Sequence, residues 1–272
     1  MGVLTEVGRS TQDRLAALGD FCAFGLKTIS SPIVHGPMQR RDLRLLAPQL
    51  YEVGTRSVPV VMVTGLFVGM VLAVQTVPQF AGIGLLARVG AVVNHSVLKE
   101  LGPVLAGILL AGRIGGGLTA ELGTMHVTEQ IDALRAMGCD PIRVLVVPRF
   151  LACILLIPLL VLYANFVGIL GGYLVSVHIY GVSGVDFWRY SQGTVGLYDL
   201  FYGPIKSVFF GAAMSLICCY KGFRCAPGAA GVGRACNESF VVSCMAVLGL
   251  DLFLGMLLNT IYLVLYGWKQ VL

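Results

Sequence analysis

Charged residues are scarce in this 272-residue sequence. They make up 12% of the chain, whereas a soluble domain of this size carries roughly 25%. Hydrophobic residues make up 57%, and the mean hydropathy is +0.84. This balance excludes an ordinary soluble domain and predicts an integral membrane protein. The net charge of +5 requires no nucleic acid, because basic loop residues that set topology account for it.

Motifs for catalysis and nucleotide binding are also missing. The chain has no GxxxxGK[ST] phosphate loop, so we do not expect it to hold ATP in the usual manner. It has no HExxH and no GxSxG. Only Asp251 is an obvious carboxylate deep in an apolar run, and a lone carboxylate is more often a packing partner than a catalyst. We predict a transport subunit that is not an enzyme, with no catalytic residue and no cofactor of its own.

Cysteine and histidine are placed without the spacing of a metal site or a disulfide framework. The four histidines are scattered singly and no CxxC occurs, so we predict no metal site. Four cysteines lie in apolar runs, where a free thiol acts as a small hydrophobe: Cys153, Cys218, Cys219 and Cys244. Three lie in loops that we place in the cytoplasm, where thiols stay reduced: Cys139, Cys225 and Cys236.

Residues 1–56 are the most basic part of the chain and are predicted to lie along the membrane. Apolar residues repeat at helical spacing from Leu15 to Ile29, with Asp20 and Lys27 on the opposite side. That pattern is typical of a helix in the membrane interface; a solvated tail is the alternative. Pro32 and Pro37 are expected to interrupt it, and a second helical stretch, residues 41–54, leads into the first span.

Five apolar segments are long enough to cross a bilayer, which takes roughly 20 residues. The predicted spans form one unit over residues 57–268: residues 57–80, 101–120, 150–178, 201–220 and 239–268. Gly65 and Gly69 in the first span, and Gly168 and Gly172 in the third, form GxxxG patterns that allow close helix approach. Four glycines between 112 and 117 leave one face of the second span nearly bare, and we expect another helix, or a second subunit, to pack there.

Few charges fall within these spans. Arg113 in the second span should face protein or a watery cavity, since a charge in lipid is expensive. Lys206 lies near the outer end of the fourth span, where it could snorkel to the interface. We expect Lys99 and Glu100 in an external loop that begins around Pro78.

A polar helix is predicted between the second and third spans, over residues 120–137. Val127, Ile131 and Leu134 make an apolar stripe, and charged residues point away from it. Gly138 suits the position after a helix end, and Pro141 prevents continuation. An ordinary amphipathic loop helix is the alternative. The density of charge between two spans favours a docking surface for a partner.

Lysine and arginine counts set the orientation. The N-terminal segment and the loops at 119–149 and 221–238 carry thirteen, and the other side carries four. The positive-inside bias places the N-terminus and the polar helix in the cytoplasm and the C-terminus outside. The predicted fold is an all-α integral membrane protein with an N-terminal interfacial helix, five transmembrane helices and a cytoplasmic coupling helix between the second and third spans.

Several motifs, in order, resemble those of the MlaE (YrbE-type) permease family. The resemblance extends from about Leu46 to Asn259 and rests on these stretches: LYEVG from Leu50, GLFVGMVL from Gly65, ELGP from Glu100, AGR from Ala111, TAELG from Thr119, EQ at Glu129, MGCDP from Met137, PR at Pro148 and AVLGLD from Ala246. Permeases of this family are the membrane subunits of ABC transporters that move phospholipids or other lipids between membranes.

The resemblance implies an assembly in the bacterial inner membrane. Two copies of the permease form a homodimer, and cytoplasmic ABC ATPases, which hold ATP and Mg²⁺, dock on the coupling helices. A periplasmic MCE-domain protein provides a lipid tunnel, and some systems add a STAS-domain protein. The lipid occupies an outward-facing cavity between the two permeases, lined by the first and fifth spans.

The resemblance also implies roles for individual residues. Lys99 and Glu100 match a charged pair, usually Arg-Glu, at the outer mouth of the cavity. They are expected either to steer a lipid headgroup or to form an ion pair that holds the loop, and lysine lacks the planar fork of arginine. Residues for lipid contact on the first span are Leu66, Met70 and Val74. Residues for ATPase coupling are Glu121, Glu129, Gln130, Asp132, Arg135 and Arg234.

Two other functional classes compete with a lipid permease. A channel or secondary transporter would usually show intramembrane carboxylates and an internal repeat, and neither is convincing here. A membrane scaffold would have no ATPase partner. Co-purification distinguishes these classes, since a permease should bring an ATPase with it.

Overall fold

The computed structural model describes residues 2–34 and 40–266, and the regular elements of this part of the chain are all helices. Residues 35–39 and 267–272 lie outside it, and with them the expectation for Pro37 and the end of the predicted fifth span. The helices are α1 Gly2–Val34, α2 Arg40–Leu50, α3 Val58–Gly82, α4 Val89–Ser96, α5 Gly102–Leu110, α6 Gly116–Val127, α7 Gln130–Ala136, α8 Val147–Leu174, α9 Gly184–Thr194, α10 Leu197–Phe223 and α11 Ala229–Tyr266.

Five helical segments in the described part are long and apolar enough to span a membrane, so the protein is a multi-pass membrane protein as predicted. Some consist of several helices joined by π-helical turns. The spans run over Arg44–Gly82, Leu86–Val127, Ile142–Ile179, Leu197–Phe223 and Ala229–Val264.

The spans are longer than their apolar cores. The external loop was expected to begin around Pro78. In the structure Pro78 lies inside α3, which continues to Gly82. The fifth span begins at Ala229, so Arg234 and Cys236 lie on a helix and not in the predicted loop. Sequence apolarity marks the hydrocarbon crossing, whereas helical hydrogen bonding continues into the polar region beyond it.

The segment that contains Lys99 and Glu100 is helical and not an external loop, which corrects the prediction. A 3₁₀ turn at Leu86–Arg88, α4 and a π turn at Val97–Leu101 continue directly into α5. The charges of this segment have partners on the fourth span, as described below, and therefore do not require a solvated loop.

The third span lies at the centre of the bundle and packs most closely against the first. An added Cβ on Gly65 would lie 2.7 Å from the carbonyl oxygen of Ala164, and one on Gly69 would collide with the carbonyl of Gly168. An added Cβ on Gly172 would lie 2.8 Å from a methyl group of Val93. The first GxxxG pattern and Gly168 of the second therefore mark close approaches of backbone, whereas Gly172 packs closely on the side chain of Val93.

The glycine-rich stretch of the second span is only partly covered within this chain. Added Cβ atoms on Gly112 and Gly115 would lie 3.2 Å from Phe240 and 2.7 Å from Cys218, on the fifth and fourth spans. Those on Gly116 and Gly117 would have nothing within 4 Å. The expected close packing thus holds for the first two positions.

Arg113 faces protein, as predicted. Its guanidinium donates to the hydroxyl of Ser57, 2.6 Å away at the start of α3. Arg113 lies in a second π turn of the same span, Ala111–Gly115. The two π turns of the second span thus carry three of its charged side chains, Lys99, Glu100 and Arg113, and π turns occur preferentially at functional positions.

The described part of α1 has the character of an interfacial helix. Its apolar side chains Leu15, Leu18 and Leu26 are 60% or more exposed, as expected for a helix face that meets lipid. Two ion pairs tie the polar side to the bundle: Lys27 with Asp140 and Arg224 with Asp20. Pro32 lies within this helix, which continues to Val34.

The connection between the second and third spans differs from the single helix predicted over residues 120–137. Residues up to Val127 continue the second span, and a separate seven-residue helix, α7, follows. The break falls at Glu129, which adopts a left-handed backbone with φ of 59°. Gly138 ends α7 with φ of 74°, as the sequence predicted. We call the end of the bundle that carries α7 the linker end. The opposite end, where Lys99 and Glu100 lie, we call the groove end.

Candidate functional site

A buried lysine connects three spans at the groove end. Lys206 is 0% exposed, and its ammonium lies 2.9 Å from a carboxylate oxygen of Glu100 and 2.9 Å from one of Asp251. The three residues belong to the fourth, second and fifth spans. A buried ammonium requires paired charge, and the carboxylates provide it. The prediction that Lys206 snorkels to the interface is therefore wrong.

A second ion pair lies next to the first. The ammonium of Lys99 is 2.9 Å from a carboxylate oxygen of Asp199, whose other oxygen accepts a hydrogen bond from the amide of Gly196 at the start of α10. Lys99 also lies 5.4 Å from the ring centre of Tyr202 and 5.6 Å from that of Tyr262. Lys99 and Glu100 thus pair with different partners and not with each other, and both anchor the second span to the fourth.

The helices set these positions directly. Lys99 and Glu100 are adjacent in the π turn, and both side chains contact residues of α10. Tyr202 and Lys206 are one helical turn apart on α10 and lie on one face. The hydroxyl of Tyr202 donates to the carbonyl of Gly255, 3.0 Å away on the fifth span.

These charges border an open groove of about 740 Å³ between the second and fifth spans. A second groove of about 400 Å³ adjoins it. Both are lined by His95, Ser96, Lys99 and Asn259. Apolar side chains of the first and fifth spans complete the wall of the larger groove: Leu72, Leu252 and Met256. The site therefore combines a charged floor with an apolar wall, which suits an amphipathic ligand.

The predicted lipid contacts on the first span do not line this groove within one chain. Leu66 and Met70 are half-buried, and Val74 is 45% exposed. Their role in a cavity between two subunits stays a prediction. Leu72 is the residue of the first span that reaches the groove.

The ion-pair network of Lys206, Glu100 and Asp251 was not predicted from the sequence, although each of the three residues was noted there. Lys206 and Asp251 are charged residues inside apolar spans, and such residues usually pair with one another. That rule was a signal for their contact. Tyr202 carried no distinguishing signal.

The linker end presents a small charged surface. Ile131 is buried, and it anchors α7 against Leu122 and Leu145. On the other side, Asp132 and Arg135 form an exposed ion pair of 2.9 Å. Glu129 and Gln130 are exposed beside them. The structure thus brings four of the six predicted coupling residues together on α7 and its N-cap.

The other two predicted coupling residues have separate surroundings. Glu121 bonds Arg149 at 2.9 Å, and the side chain of Arg149 is only 8% exposed. Glu121 therefore has a structural role whatever else it contacts. Arg234 is exposed near the start of α11.

Metal binding finds no support in these surroundings. Across residues 2–34 and 40–266, no three His, Cys, Asp or Glu side chains are grouped as metal ligands would be.

The sequence profile of the family described as Permease MlaE matches residues 46–257. The chain belongs to this family. A probable ABC transporter permease protein of Rickettsia felis is 38% identical over 248 residues, which cover 91% of this chain and 94% of the relative. The intermembrane phospholipid transport system permease protein MlaE of Haemophilus influenzae is 36% identical over 254 residues, covering 92% and 95%.

A plant protein is also similar to this chain. The chloroplastic protein TRIGALACTOSYLDIACYLGLYCEROL 1 of Arabidopsis thaliana is 36% identical over 233 residues, which cover 84% of this chain and 67% of the relative. The matched region of this MlaE-type permease contains every member of the charged network at the groove end.

Proposed function

We propose that this chain is the membrane permease subunit of an ABC transporter that moves phospholipid, or a related lipid, between the inner and outer membranes. The groove with its charged floor and apolar wall carries this proposal, because it matches the two chemistries of one lipid molecule. Family membership, and the relative named for intermembrane phospholipid transport, support the same function.

The chain works as a homodimer in this proposal. In the first and fifth spans, only 22% of the 18-residue apolar stretch is buried within the chain. In the other three spans, 50–61% of that stretch is buried. These two spans flank the groove. A second copy placed against them would close the groove into a cavity, with Leu66, Met70, Val74, Lys99 and Glu100 as lipid-contacting residues.

Hydrolysis of ATP takes place in a separate ATPase, which holds ATP and Mg²⁺. The linker end offers the docking surface, since α7 is short, charged and fixed to the bundle by Ile131. The proposed coupling residues are Glu121, Glu129, Gln130, Asp132, Arg135 and Arg234. A periplasmic MCE-domain protein receives or delivers lipid at the groove end, and some systems of this family add a STAS-domain protein on the ATPase.

The proposed orientation follows from the basic residues at the linker end. The linker end and the N-terminus face the cytoplasm, and the C-terminus and the groove face the periplasm. The protein thus resides in the inner membrane.

Motion at α7 reaches the groove along the second span. When the ATPases close on ATP, they displace α7 and with it the end of α6. Because the second span is helical from Leu86 to Val127, the displacement is carried toward Lys99 and Glu100. The π turn at Val97–Leu101 is where this helix can readjust, and the groove then opens or collapses around the lipid.

Purification in mild detergent tests the proposal. The tagged full-length protein is isolated, bound proteins are identified by mass spectrometry, and bound lipids are extracted. We expect an ATPase, an MCE-domain protein and phospholipid to copurify. A clean, lipid-free monomer without partners would remove the basis for this function.

A further inference from the structure

We propose that the groove selects phospholipids whose headgroup carries an ammonium group over phospholipids with a purely anionic headgroup. This inference rests on the proposed function and names the lipid class that the same groove takes. It is drawn from the balance of charges that the groove presents to a ligand.

Negative charge is in excess at the groove. Among the described residues, 2–34 and 40–266, the two grooves are lined by Glu100, Asp199 and Asp251, and Lys99 is the one lysine or arginine that lines them. Lys206 adds a second ammonium beneath the floor, but it is fully buried and already serves two carboxylates. Three carboxylates against two lysines leave one negative charge uncompensated when all are ionised.

The accessible charge is also negative. The side chain of Glu100 is 51% exposed, whereas that of Lys99 is 18% exposed and that of Lys206 is 0%. A ligand therefore meets the carboxylate of Glu100 first. Lys206 is closed to a ligand, and Lys99, which pairs with Asp199, keeps a smaller exposed surface than Glu100.

Tyrosine rings strengthen the preference for a cation. Tyr202 and Tyr262 already lie within 6 Å of the ammonium of Lys99, and Tyr202 lies 4.7 Å from that of Lys206. The negative faces of aromatic rings attract ammonium groups, including those of ligands. Tyr202 is buried, so the partly exposed ring of Tyr262 is the one of the two that a ligand can reach.

A preference for anionic headgroups would need a groove with a free positive charge to receive them. An anionic headgroup such as phosphatidylglycerol would bring a second negative charge next to Glu100, with no free arginine fork to receive it. A zwitterionic headgroup such as phosphatidylethanolamine places its ammonium near Glu100 and leaves its phosphate toward Lys99. Both charges of that headgroup then have a partner.

A competition experiment measures this selectivity. The full-length protein, with any subunits that copurify, is equilibrated in mixed micelles of equal phosphatidylethanolamine and phosphatidylglycerol with matched acyl chains. Retained lipid is extracted and quantified by mass spectrometry. We expect phosphatidylethanolamine to be enriched roughly three- to tenfold over the bath, the range for one partly exposed charge contact.

Three variants test the cause of the enrichment. Glu100→Gln should reduce the enrichment to near one. Asn259→Lys adds a cation at an exposed position that lines both grooves, and it should shift retention toward phosphatidylglycerol. This variant leaves the ion pairs of Glu100 in place. Glu238→Gln is the matched control: Glu238 is also 51% exposed and paired to a lysine, but lies at the linker end, and it should leave the ratio unchanged.

The possible outcomes distinguish a failure of the headgroup selectivity from a failure of the proposed function. Retention of both lipids in the bath ratio, or enrichment of phosphatidylglycerol, overturns the headgroup selectivity and leaves lipid transport standing. Equal loss of enrichment in Glu238→Gln would also overturn it. If the wild-type protein retains no phospholipid at all, the proposed function fails together with the inference.

Discussion

The ammonium of Lys206 lies 2.9 Å from a carboxylate oxygen of Asp251, and this contact joins the fourth and fifth spans at the level of the groove. Glu100 bonds the same ammonium from the second span. One buried lysine thus fixes three helices around the place where we expect the lipid headgroup. Its removal should affect stability and transport together.

The first prediction concerns Lys206→Met. Methionine has a similar length but no charge, so Glu100 and Asp251 would face each other without a cation. Removal of one partner from a buried ion pair destabilises by about 3–5 kcal/mol. We expect a clear fall of the unfolding temperature in detergent, measured by tryptophan fluorescence or light scattering.

A compensating variant separates charge from packing in this test. Lys206→Met combined with Glu100→Gln and Asp251→Asn removes all three charges, and it should recover most of the lost stability, because neutral groups are less expensive to bury. Equal stability of Lys206→Met and the wild-type protein would show that the network does not hold the helices together.

The second prediction concerns the contact between the first and third spans. In Gly69→Ala the new methyl group would collide with the carbonyl of Gly168, and the helices would have to separate. Overpacking of this kind destabilises by about 1–3 kcal/mol. Gly82→Ala, in the same helix with nothing within 4 Å, is the control and should keep the unfolding temperature. A similar temperature for both variants would argue against the close approach.

Local sequence signals predicted much of this fold. The apolar runs located five spans, and the two GxxxG patterns located the approach of Gly65 and Gly69 to the third span. The position of Gly138 after α7 was also confirmed. These features depend on short stretches of sequence, because helix length, backbone approach and helix ends are set by neighbouring residues.

Features that depend on distant residues were not predicted. The sequence suggested a loop around Lys99 and Glu100 because charges usually mark the end of a span. Their partners, Asp199 and Lys206, lie about a hundred residues away in sequence, and only the packed bundle brings them together. The break at Glu129 was likewise invisible, since a left-handed glutamate has no signature in sequence.

The third prediction tests orientation through two cysteines at the linker end. Cys139 is partly exposed, whereas Cys225 is buried and its Sγ donates a hydrogen bond to the carbonyl of Gly123. Burial raises the pKa of the Cys225 thiol, so less of the reactive thiolate is present at neutral pH. We expect a membrane-impermeant maleimide to label Cys139 from the cytoplasmic side and to spare Cys225, as read by peptide mass spectrometry.

Two variants control the labelling experiment. Cys22→Ser removes an exposed thiol on α1 from the background. Thr194→Cys places a thiol at an exposed position beside the groove, and it should be labelled from the opposite side of the membrane. Labelling of Cys139 from the periplasmic side would reverse the proposed orientation.

The fourth prediction concerns the coupling surface on α7. Glu129→Lys combined with Arg135→Glu reverses two exposed charges. The fold should remain intact, because the pair that Arg135 forms with Asp132 is solvent-exposed and contributes about 0.2–1 kcal/mol. A docked ATPase, in contrast, would meet like charges where it had met opposite ones. We expect hydrolysis of ATP to continue while lipid transfer between donor and acceptor vesicles falls at least tenfold.

The linker end offers a matched control for this charge reversal. Glu52 and Arg56 form an exposed ion pair of 2.7 Å at the entry to the first span, away from α7. Glu52→Lys with Arg56→Glu makes the same change of charge and should leave transfer unchanged. Because both double variants keep the net charge of the chain, a loss confined to the α7 variant can be attributed to that surface. Unchanged lipid transfer and unchanged ATPase binding in Glu129→Lys with Arg135→Glu would remove α7 from the coupling pathway. Arg234, an exposed candidate outside α7, would then be the next residue to reverse.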